Sequence, residues 1–139
     1  MIARDVSEAA SYFVFYRLPE LYGGIRREPG SFPVQYLGAN VPQAWAAGSV
    51  FHLVRAILGL EADARVRTLY VDPALPSWLP EVTLHHLRVA NSTATIRFWS
   101  ENNHSRFEVL SCDGELHVQH GSPPEDSLPR FPPVTEHQA

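Results

Sequence analysis

The stretch from residue 40 to residue 60, "NVPQAWAAGSVFHLVRAILGL", constrains the fold more than any other part of this chain. Asn40 reads as a helix cap, with Gln43 three residues on and Pro42 in the first turn. Gly59 supplies the stop. Between them Trp45, Val50, Phe51, Leu53, Val54, Ile57 and Leu58 cover most of the circumference, interrupted by Gln43, Ser49, His52 and Arg55. A helix that is apolar nearly all round needs cover on every side. The rest of the helical material in the chain is too little to provide it, so the helix is expected to belong to a larger helical body or to have a partner.

One further helix is legible. Ile2, Val6, Ala9, Ala10 and Phe13 recur at helical spacing, with Asp5, Ser7, Glu8 and Ser11 on the other face. It is expected to end near Tyr16, because Pro19 biases Leu18 away from helical angles. Gly23, Gly24, Pro29, Gly30, Pro33 and Gly38 then punctuate a connection of roughly 25 residues, a length at which loops usually carry function.

Beyond residue 62 the period changes from 3.6 to 2. "RTLYVDP", "VTLHHLRVA", "TATIRFWS", "SRFEVLS" and "ELHVQHG" read as strands of an antiparallel meander. Asn102-Asn103 and Asp113-Gly114 read as hairpin turns. The last eighteen residues contain five prolines and read as a disordered tail. The expected organisation is therefore 1–62 helical, 63–121 antiparallel β and 122–139 tail, an α+β chain.

Composition excludes several classes. A net charge of −4 with scattered arginines argues against a general nucleic-acid face. No apolar run approaches the length that crosses a bilayer, and "MIARDVSEAA" is too polar for a signal peptide. Cys112, the single cysteine, has no thiol to pair with, which fits a reducing, cytoplasmic setting. His85 and His86 are neighbours on one strand and are expected to face opposite ways, as are His117 and His120. No zinc spacing and no phosphate loop are present, so neither a metal nor a cofactor is expected.

One acid stands out. Glu20 lies in "RLPELYGG", after a proline, between two leucines. It can be a solvated loop acid, a partner of Arg17, or a carboxylate held for chemistry. Taken in order, "RLPELYGG", a proline-rich loop, "PQAWAAGSVFHLVRAILGL" and "LPSWLPEVTLHHLRV" resemble the C-terminal end of the glycogen-debranching, amylo-α-1,6-glucosidase-like glycosidases over roughly residues 1–121. That resemblance implies the last helices of an α/α toroid followed by a small antiparallel β-meander. It also implies that Glu20 is the general base of an inverting hydrolysis of α-glucans, which needs a second, acidic carboxyl group. It makes Gln43 and Trp45, with Tyr22 and Tyr36 as weaker candidates, the sugar-contacting residues; for Trp45 a packing role stays equally open.

The acid of that family lies upstream of the matched region, and Asp5 and Glu8 do not match it. The expectation is a glycosidase fragment that is inactive alone and is completed by the missing toroid portion or by self-association. The alternative is a small, non-catalytic carbohydrate- or protein-binding module.

Overall fold

The computed structural model describes residues 2–28 and 30–124. The proline-rich tail expected over 122–139 falls outside the described residues from 125 onward. The chain is mixed α+β and forms two compact units. The helical unit runs to Leu58 and takes in Leu75–Pro80; the β unit comprises Gly59–Ala74 and the described residues from Glu81 on.

In the helical unit, α1 spans Ile2–Ser11 and α2 spans Ala44–Leu58, with a short 3₁₀ turn at Val14–Tyr16 between them. The first helix ends earlier than its apolar spacing suggests. Phe15 and Tyr16 both take positive φ, 56° each, which no α-helix continues through. The second helix begins three residues later than the Asn40 cap predicts, and the Val41–Pro42 peptide before it is cis. Asn40 is not a cap because α2 does not begin until Ala44; its N–H groups instead reach Glu20, 20 residues earlier.

One buried cluster of this unit is Ala9, Ala10, Leu18 and Ala46, with Val6, Phe13 and Val50 packed against it; Pro19, Pro33 and Leu58 are buried as well. The predicted stripe from Val6 to Phe13 is thus the buried one. Three of the four residues of that cluster are alanines, while Phe15, Phe51, Trp45 and Leu37 are 79%, 77%, 60% and 99% exposed. Several of the largest apolar side chains are thus outside, which ordinary burial does not produce.

The β unit has two three-stranded sheets. β3 (Glu81–Val89), β4 (Ser92–Glu101) and β5 (His104–Asp113) form the expected antiparallel meander. β4 alternates as its sequence requires: Ser92, Ala94, Ile96 and Phe98 are buried, while Thr93, Thr95, Arg97 and Trp99 lie on the other face. Asn102 and Asn103, with φ of 51° and 63°, make the two-residue turn between Glu101 and His104. Positive φ at both central residues is the turn geometry that Asn tolerates best after Gly.

The other sheet corrects the expectation of a single meander. β1 (Glu61–Asp63) pairs antiparallel with β2 (Thr68–Val71), and β6 (His117–His120) pairs parallel with β2. Asp113-Gly114 therefore ends β5 without making a hairpin. Gly114 has φ 91°, and a Cβ on it would fall 2.7 Å from Ser92 Oγ. The chain leaves the first sheet at that glycine and joins the second.

The His85-His86 pair also differs from simple alternation. A bulge between Leu84 and Leu87, with His86 at φ 56°, inserts one extra residue into β3. His85 and His86 are both exposed, and their ring centroids lie 6.4 Å apart instead of on opposite faces. On β6, the His120 ring stacks on Phe107 of β5 at 6.3 Å with 5° between the planes, and Phe107 in turn lies 6.3 Å from buried Phe98. No helix among the described residues is long and apolar enough to cross a membrane.

Candidate functional site: Glu20 and its surroundings

The "LPEL" stretch turns from the core outward. Leu18 is 2% exposed and Pro19 is fully buried, so these two anchor the backbone in the helical core. Glu20 follows as a half-buried side chain. The chain from Leu18 to Gly23 then runs antiparallel to the chain from Val34 to Gln43. The Gln43 amide donates to the Leu18 carbonyl at 3.2 Å, the Glu20 amide to the Asn40 carbonyl at 3.0 Å, the Tyr36 amide to the Leu21 carbonyl at 3.1 Å, and the Gly23 amide to the Val34 carbonyl at 2.7 Å. Tyr22 and Gln35 form an isolated antiparallel bridge within the same ribbon. The long connection is therefore closed along much of its length, with the described residues of 24–28 and 30–33 at its tip.

The Glu20 carboxylate is fixed from across this ribbon. Asn40 donates its side-chain Nδ2–H to Glu20 Oε2 at 3.0 Å and its backbone N–H to the same oxygen at 3.3 Å. Arg17, the alternative partner suggested by the sequence, instead lies over the Phe15 ring at 5.5 Å. Among the described residues, Oε1 receives no hydrogen bond. The result is a carboxylate with one oxygen held and the other open.

Gln43 is on the same ribbon, half-buried, and serves as the residue before α2: its carbonyl accepts from the Ala47 amide at 3.0 Å. Tyr36 is 59% exposed, with its ring against Gly38, where a Cβ would meet Cε1 at 3.5 Å. Tyr36 and Gln43 are thus tied by backbone to the segment that carries Glu20.

Tyr22 shares the ribbon with Glu20, but the Tyr22 and Trp45 side chains line two other surfaces of the unit. Tyr22 lines a cleft of about 280 Å³ with Asp5 and Val6 of α1 and Ile25, Arg27 and Val34 of the loop. Burial pushes its phenol above the ordinary tyrosine range, while the Arg27 charge pulls the other way. Arg27 forms an ion pair with Glu8 and lies 5.6 Å from the Tyr12 ring centroid. Phe32 closes on Phe13 at 5.3 Å and on Tyr12 at 6.0 Å, which pins the loop tip to α1. Trp45 lines a separate groove of about 590 Å³ with Val6, Gly48, Ser49, His52 and Leu53. The five candidates therefore do not line one cavity.

Sequence reasoning missed the role of Asn40, because nothing local links it to Glu20. It also missed the Glu8–Arg27 pair, whose members are 19 residues apart. Among the described residues, no three His, Cys, Asp or Glu side chains gather closely enough to hold a metal ion. Compared with known proteins, the chain matches no family model, no curated protein and no solved structure.

Proposed function

We propose that this chain supplies the general-base half of an amylo-α-1,6-glucosidase-like glycoside hydrolase acting on α-glucans. The observation that carries the reading is the Glu20 carboxylate, anchored by buried Leu18 and Pro19 and held at Oε2 by Asn40. A base for water attack must be ionised, rigid and open on one side. Water would give its proton to Glu20 while its oxygen bonds to the anomeric carbon and the glycosidic bond breaks. In that family the leaving oxygen takes its proton from a carboxylic acid upstream of the region this chain resembles; among the described residues Glu8 is committed to Arg27 and Asp5 lines the Tyr22 cleft. Inversion sets the two carboxyl groups about 6.5–9.5 Å apart.

In this reading Gln43 and Tyr36 face sugar hydroxyls, and Trp45 and Tyr22 offer aromatic surfaces to further glucose units. The exposed Phe15, Leu37, Trp45 and Phe51 fit a unit whose apolar faces are completed by further helices of a toroid or by another copy. The chain alone is then inactive, needs neither metal nor cofactor, and works in the cytoplasm.

The test restores turnover on a short α-glucan by adding the acid-bearing portion, then compares Glu20→Gln. A loss of about a hundredfold to ten-thousandfold is expected. A parent rate in Glu20→Gln makes Glu20 a loop acid and rejects the proposal. A second reading, a non-catalytic carbohydrate- or protein-binding module, is favoured by the separation of the Tyr22 cleft and Trp45 groove from Glu20. Binding of malto-oligosaccharide by the chain alone, unaffected by Glu20→Gln, would select it.

A further inference from the structure

The terminal torsion of a glutamate is soft, so a carboxylate fixed only by its backbone samples many directions. At Glu20 this freedom is removed by one residue. Two N–H donors of Asn40, one on Nδ2 at 3.0 Å and the backbone N–H at 3.3 Å, converge on Oε2. The Asn40 carbonyl in turn accepts from the Glu20 amide at 3.0 Å, so the two residues are locked to each other by main chain and side chain together. Holding one oxygen with two donors fixes the plane of the carboxylate and therefore the direction of the other oxygen.

We propose that Asn40 is the positioning residue for Glu20: it takes up Oε2 and leaves Oε1 as the oxygen that receives the proton of the attacking water. The proposal rests on the reading of Glu20 as a general base. Asn40 touches neither sugar nor water in this scheme and acts through the carboxylate. Its side chain matters for aim, because a reacting group displaced by about 1 Å loses on the order of a hundredfold in rate. Asn40→Ala deletes the Nδ2 donor and keeps the backbone donor. Asn40→Asp keeps the shape, deletes the donor and sets a second negative charge beside Oε2.

Two measurements test this. In the 139-residue chain alone, the Asn40 side-chain amide protons are expected to shift clearly in the NMR spectrum on Glu20→Ala; unchanged Asn40 amide resonances would overturn the proposal whatever the activity. In the complex with the acid-bearing portion, the probe is α-glucosyl fluoride, whose leaving group needs little help from an acid and so isolates the base. Asn40→Ala is expected to lower kcat about ten- to a hundredfold with KM and melting temperature unchanged. Asn40→Asp is expected to lose at least as much. A merely structural role would instead lower the melting temperature and raise KM. If Glu20→Gln abolishes turnover while Asn40→Ala keeps the parent kcat, the positioning role is wrong and the base assignment survives. If Glu20→Gln itself keeps the parent kcat, both fall.

Discussion

The Asp72 carbonyl occupies the space where a side chain on residue 59 would begin. A Cβ built on Gly59 would lie 2.6 Å from the Asp72 carbonyl carbon and nearer still to its oxygen, and Gly59 has φ of 56°. The Asp72 amide donates back to the Gly59 carbonyl at 3.2 Å. Glycine is needed here twice over, for the left-handed backbone and for the close approach.

Gly59→Ala is therefore expected to destabilise the β unit by about 2–4 kcal/mol, the left-handed conformation and the backbone clash adding together. Gly48→Ala is the matched control. Gly48 lies inside α2, and a Cβ there meets nothing within 4 Å. It should stabilise α2 by roughly 0.5–1 kcal/mol. Urea unfolding of both variants checks the pair; equal effects would contradict the geometry.

Phe98 is fully buried on β4 and Phe51 is 77% exposed on α2. Phe98→Ala should cost about 3–5 kcal/mol, through lost burial and the cavity left behind. Phe51→Ala should stay within about 0.5 kcal/mol of the parent, as surface changes do. Denaturation midpoints decide between them.

The isolated chain should self-associate and bind an apolar dye, since Phe15, Leu37, Trp45 and Phe51 are all mostly exposed in one small unit. Phe51→Ser should reduce both. Sedimentation as a monomer at all concentrations, with no dye signal, would contradict this.

Arg97 grips Glu81 with Nε and Nη2, each at 2.9 Å. The Arg97 side-chain hydrogen bonds hold the Glu81 carboxyl below its ordinary range, against a smaller desolvation effect that raises it. A carboxyl with a depressed folded-state value stabilises the fold above its unfolded value, about 4.3, and that contribution is lost as pH falls through the lower folded value. The stability difference between the parent and Glu81→Gln should therefore be present near neutral pH and vanish in acid. A difference independent of pH would show that the pair contributes nothing through its charge.

Local order was written in the chain. The stripe through Val6, Ala9, Ala10 and Phe13 is the packed face of α1, and the alternation of Ala94, Ile96 and Phe98 is the buried face of β4. Asn102-Asn103 makes its turn because both residues tolerate positive φ. Periodicity and turn chemistry act over a few residues, so they can be read without the fold. What the tertiary structure decided acts at a distance. The parallel pairing of β6 with β2 joins residues 49 apart, Thr68 and His117, and no local pattern specifies it. The bulge at His85-His86 depends on the register against β4. Asn40 carries the residue type of a helix cap, yet α2 begins only at Ala44 and two of Asn40's N–H donors go to Glu20, because the folded ribbon brings that carboxylate within 3.0 Å of its side chain. The sequence marked Glu20 as an acid in an apolar setting; the fold determined which oxygen is held and which is left open, because hydrogen-bond donors 20 residues away are brought to it only when the chain closes on itself.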